Sequence, residues 1–135
     1  MQTQIQKLKE LVKHSEEVRS SLEKLKKRAK RIASRSKEEE TLLRNTALLC
    51  AWADGNLAQY HIKQGNLNKA ALYFESQGDY LLEGEDYYGA IGAWKSSYSR
   101  AKSRALQRSV LDKTRALYIK LTSEGKNAEP ASWVI

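Results

Sequence analysis

The chain is poor in the residues that staple, turn or anchor a protein. Cys50 is the one cysteine among 135 residues, so no internal disulfide can form. The two histidines, His14 and His61, fall on different expected helices with no cysteine at ligand spacing beside either, which argues against a metal site. Cys50 sits next to Trp52 in an apolar stretch and reads as a small buried hydrophobe rather than a nucleophile. Pro130 is the one proline, so long helices are permitted and a turn-rich β fold is disfavoured. No apolar run approaches the length that crosses a bilayer, and no charged-then-apolar-then-small leader opens the chain, so a cytoplasmic protein with no membrane role is expected. No glycine loop precedes a basic residue to cradle phosphate. Glu83, Glu85 and Asp86, with Gly84 among them, read as a helix stop and restart rather than a pair of catalytic acids. Catalytic residues, cofactors, metals and small-molecule substrates are therefore not expected.

What is present points to an all-α protein. The length is that of about one domain, with 41% apolar and 30% charged residues. The net charge of +8 falls in blocks. Residues 1–37 carry twelve Lys and Arg against four acids, 38–90 carry three against nine, and 91–135 carry nine against three. A basic, acidic, basic order raises the prospect of a polyanionic partner, and equally of solubility or self-pairing.

From the start, Leu8, Leu11, Ser15, Val18, Leu22, Leu25, Ala29 and Ile32 alternate three- and four-residue steps, a heptad seam interrupted by Ser15. Lys24, Lys26, Lys27, Arg28, Lys30, Arg31 and Arg35 surround its second half. The helix over 1–35 either binds a polyanion or another helix, or docks on its own bundle with a solvated basic face. Ser36 and Glu39 fit a capping box, and Glu38 to Glu40 suit the positive end of a new helix. Its broad apolar stripe holds Leu42, Leu43, Ala47, Leu49, Cys50, Ala53, Leu57 and Tyr60, and Asp54-Gly55-Asn56 should bend or break it. Gly65 suits a left-handed cap and Asn66 the next N-cap, giving a helix over about 67–82 ended by Gly84. Asp86 should cap a further helix, with a kink near Ser99 to Ser103. Residues 126–135 read as a flexible tail ending in apolar Trp133, Val134 and Ile135.

A helical face is written twice: Lys69-Ala-Ala-Leu-Tyr-Phe-Glu-Ser76 and Gly89-Ala-Ile-Gly-Ala-Trp-Lys-Ser96. Each sets a small residue, Ala70 or Ala90, four positions before an aromatic, Phe74 or Trp94, so both share a helix face and are expected to fill the space between the copied helices. Tyr73, Tyr87 and Tyr98 fall on or beside this face and read as core. Leu57-Ala58, Gly65, Ala70 and Phe74 resemble the spaced positions of a tetratricopeptide repeat, and Ala90 and Trp94 a second half-copy; the resemblance spans roughly residues 47–100. The twenty-residue recurrence is closer to the helical hairpins of soluble NSF attachment proteins. The resemblance implies a helical layer that binds a peptide or helix of another protein, without catalysis.

The sequence thus predicts a bundle of four to five helices over 1–125, with a heptad-patterned N-terminal helix over 1–35, a helical-repeat-like core over 36–123 and a tail. The expected function is a non-enzymatic adaptor or assembly protein whose partner is another protein, or itself, met through Leu8, Leu11, Val18, Leu22 and Leu25 or through Trp133, Val134 and Ile135. The alternative is a DNA- or RNA-binding accessory protein using the cations of 24–35 together with Arg100, Lys102, Arg104 and Arg108 on phosphates.

Overall fold

The computed structural model describes residues 2–30 and 37–125, which form five helices with no strand among them. They are α1 (Gln2–Lys30), α2 (Lys37–Lys63), α3 (Leu67–Glu83), α4 (Tyr87–Arg100) and α5 (Arg104–Ser123). Each packs on the next in chain order, the antiparallel arrangement that short connections enforce. Ser36, Ala29 and Ile32 of the expected cap and seam, the cations Arg28, Lys30, Arg31 and Arg35, Leu8, and the tail with Trp133, Val134 and Ile135 lie outside the residues or side chains described.

α2 runs unbroken through Asp54-Gly55-Asn56, so of the bend or break that turn chemistry suggested there the break does not occur. Asp54 is fully buried and held from both sides, by Arg19 of α1 and by Ser76 Oγ of α3, which donates to Oδ2 at 2.5 Å. A side chain that finds tertiary partners no longer competes for its own backbone. Gly55 is small where Gln77 of α3 closes in, and Asn56 Nδ2 donates back to Trp52 O at 3.0 Å. The tertiary bonds outweigh the roughly 1 kcal/mol that glycine costs inside a helix.

The other helix ends follow local chemistry with two exceptions. Gly65 takes a left-handed φ of 78° and closes α2, with Asn66 N donating to His61 O at 2.9 Å. Asn66, however, makes no side-chain cap to α3. At the end of α3 the left-handed residue is Glu85 (φ 63°), not Gly84, whose backbone is pressed against Leu48 where a Cβ has no room. The left-handed conformation costs a non-glycine residue about 1–2 kcal/mol, offset here by Asp86 N→Leu81 O at 2.9 Å and the Arg44–Glu85 ion pair at 3.0 Å. Asp86 caps α4 by accepting from Gly89 N at 3.0 Å, as expected. The chain does part at Ala101, extended at φ −66°, ψ 131°, and Ser103 accepts from Leu106 N to start α5.

The twin face is buried, yet its aromatics occupy different gaps. Phe74 packs with Ala58 and Ala70 between α2 and α3, while Trp94 packs with Ala71, Val110, Leu117 and Leu121 among α3, α4 and α5. The expectation that both fill one gap is corrected: each aromatic closes one step of a layered stack. Gly78 faces the Trp94 indole so closely that any Cβ there would collide with it. Tyr73, Tyr87 and Tyr98 are half-buried against these clusters. A third cluster, Val18, Leu22, Ala47 and Cys50 with Leu43 and Tyr80, joins α1 to the rest.

Candidate interaction surfaces

The N-terminal seam is largely spent inside the molecule. Ser15, Val18 and Leu22 are buried against α2, and Leu11 and Leu25 are half-buried. Val18 and Leu22 are therefore corrected from partner-binding to core residues: Ala47 and Cys50 are small enough to let α1 approach, and the apolar seam takes the nearest apolar face.

The blocks of charge pair with one another across the fold. Lys26 of α1 meets Glu83 of α3 at 2.6 Å, Arg19 meets Asp54, and Lys113 of α5 meets Asp79 at 3.0 Å and Glu75 at 3.3 Å. In each pair a basic flanking segment meets the acidic middle. Lys26 is thereby removed from the cations open to phosphate, while Lys24 and Lys27 remain exposed. Arg100 is also engaged, lying 5.3 Å from the centre of the Phe74 ring and donating to Ser96 O.

Burial sets the protonation of the interior groups. Desolvation raises the Asp54 carboxyl above its usual range, opposed by Ser76 and Arg19, and Arg19 lies 5.7 Å from the Tyr80 ring centre. Desolvation, aided by Asp54, pushes the Cys50 thiol up to about 11, so the thiolate is scarce. His61 is lowered by burial and then by Lys69; it stacks on Tyr73 with ring centres 5.3 Å apart, and its Nδ1 has no partner among the described residues. No three His, Cys, Asp or Glu residues cluster as metal ligands among the described residues, and no described helix is long and apolar enough to cross a membrane.

Three surfaces among the described residues bear on binding. The first is a cleft of about 340 Å³ among α3, α4 and α5, lined by Leu82, Trp94 and Leu117. Its charged rim is already committed, Lys113 to Asp79 and Lys120 to the face of Tyr87 at 5.4 Å. The second is a cationic end of the bundle. Lys102 N donates to Asn68 Oδ1 at 3.3 Å, which ties the α4–α5 connection to the start of α3 and gathers Lys63, Lys69, Lys102, Arg104 and Arg108 at one end. All are exposed, and none makes an ion pair among the described residues. Lys102, Arg104 and Arg108 were legible as candidates; Lys63 and Lys69 join them through the turn that precedes α3.

The third surface is the outer face of α2. Leu42, Leu49 and Trp52 are 50%, 51% and 56% exposed. Trp52 meets His14 of α1 edge-on at 5.9 Å, over a hollow completed by Glu10 and Leu11. Leu42 and Leu49 are thus corrected from the buried stripe. The seven- and three-residue steps from Leu42 to Trp52 were a visible signal, masked because adjacent residues Leu43 and Cys50 are apolar too. No family model, curated protein or solved structure matches the chain.

Proposed function

We propose that this protein is a non-enzymatic adaptor or assembly protein that receives an amphipathic helix of a protein partner along the outer face of α2. The observation that carries this reading is the single row of Leu42, Leu49 and Trp52, each at least half exposed on one helix face. Tryptophan is a frequent interface anchor. Completing the burial of such side chains is worth roughly 1–1.5 kcal/mol each. The row therefore offers about 3–4.5 kcal/mol, too little by itself to offset association entropy, so its polar ends must contribute. The tetratricopeptide-like spacing of α2 to α4 supports the same class by resemblance, and the lone buried thiol of Cys50 suits a reducing cytoplasm.

The test is capture of a stoichiometric partner after nuclease treatment in moderate salt, comparing wild type with Leu49→Glu and Trp52→Glu. Retention by wild type and loss by both variants, with helix content unchanged, is the expected result. Equal capture by the variants would refute the use of this face.

A second reading has its own observation, the five unpaired cations at the α2–α3 and α4–α5 end. A polyanion bound there would show affinity falling with salt by about 0.9 log units per log of salt for each duplex phosphate contact. Charge reversal at Lys102, Arg104 and Arg108 would flatten that slope, and a slope unchanged by the reversal excludes this end.

A further inference from the structure

We infer that the helix received on the outer face of α2 is α2 of a second copy of this chain, laid antiparallel about a two-fold axis midway between Leu49 and Trp52. The inference rests on the adaptor reading of that face and names its occupant. The exposed face is longer than its apolar row. Glu38, Leu42, Asn45, Leu49, Trp52, Asn56, Gln59 and Lys63 advance by alternating four- and three-residue steps, and all are exposed except the half-buried Asn56. This is a heptad seam running nearly the whole length of α2, met at Trp52 by the His14 ring of α1 and otherwise open among the described residues.

The order of steps is the same read from either end. A second α2 running the opposite way therefore places every seam residue against a seam residue, the self-complementarity that a two-fold interface requires. Leu49 meets Trp52 of the second copy, twice by symmetry, and the two most exposed apolar groups of the seam bury each other at its centre. Asn45 meets Asn56. The Asn56 amide nitrogen already donates to Trp52 O, which leaves its oxygen to accept from Asn45. Leu42 lies over the aliphatic stem of Gln59. At each end Glu38 meets Lys63, an acid in the first turn of one helix facing a cation in the last turn of the other.

The parallel alternative fails on the same residues. It sets Glu38 against Glu38 and Lys63 against Lys63, so like charges face each other at both ends. Only the antiparallel pairing supplies the polar ends that the apolar row needs.

Sedimentation and light scattering on the full chain test the inference. The expected result is a concentration-dependent species at twice the 15.4 kDa monomer mass. Leu49→Glu should return it to the monomer with its helix content intact. Glu38→Lys or Lys63→Glu alone should weaken the dimer by at least about tenfold, while the two together restore it, because the reversed pair is again opposite in sign. A chain that stays at the monomer mass at every concentration, or a double reversal no better than the singles, overturns the inference. A monomeric wild type that still loses a captured partner on Leu49→Glu would leave the adaptor reading standing and refute only the second copy as occupant.

Discussion

α1 and α2 each carry a seam of heptad spacing, and the fold closes one and leaves the other open. In the α1 seam Ser15 is buried, and Val18 and Leu22 lie on small residues of α2, Ala47 and Cys50, where backbones can approach. The α2 seam, Leu42, Leu49 and Trp52, stays at least half exposed, touched by α1 where His14 meets the edge of Trp52. Heptad spacing thus marks a helix face that wants a partner helix, but small residues opposite it decide whether that partner comes from the same chain. A helix has about 360° of surface, and α2 spends one side on α1 and another on α3, so its third side is left over.

The sharpest way to break this contrast is to truncate the closed seam. Leu22 is 1% exposed, and Leu22→Ala should cost about 3–5 kcal/mol in chemical denaturation. A loss no larger than that of a surface substitution would mean that α1 does not rest on α2. Next comes the ion that pins the same contact. Arg19→Met leaves the buried Asp54 with Ser76 alone and should cost about 2–3 kcal/mol, held down because Arg19 is part-exposed and screened. The pH dependence carries a sign: the Asp54 carboxyl is raised in the folded state, so the folded state takes up its proton at higher pH than the unfolded chain. The deficit of Arg19→Met should therefore shrink as pH falls through that raised value, and a deficit that grows in acid over the same range would refute the assignment.

A chemical probe separates the two faces without mutation. Cys50 lies beneath the closed seam with its thiol raised to about 11, so alkylation of the native protein should be slow and should accelerate in Leu22→Ala as α1 loosens. Equal rates in both proteins would separate Cys50 from the seam. The smallest effect belongs to the open side: in the monomer, Leu49→Ala should change stability by no more than about 0.5 kcal/mol, despite removing the same atoms as Leu22→Ala. A loss comparable to that of Leu22→Ala would show that Leu49 is packed after all.

Helix placement was largely legible because punctuation is local. Asp86, Gly65 and the Ser99 to Ser103 region mark ends that depend on side chains within a turn of them. The errors arose where a distant residue overrules local preference. Asp54 is a turn-former by habit, yet Arg19 and Ser76 draw it inward and the helix runs on. Asn66 is a capping residue by habit and does not cap. Of the candidate cations, Lys26 was lost to Glu83, a residue 57 positions away that spacing along the chain cannot reveal.

The sequence by itself determined that this chain would be helical, roughly where its helices end, and that small-large pairs such as Ala70 with Phe74 and Ala90 with Trp94 would be buried, because periodicity and caps act over one or two turns. Only the tertiary structure decided which apolar face met which. It set Phe74 and Trp94 in separate layers, closed the α1 seam, matched the basic flanks to the acidic middle and left the α2 row in solvent. Burial is non-directional and charge acts through space, so neither is written in the spacing of residues along a single helix.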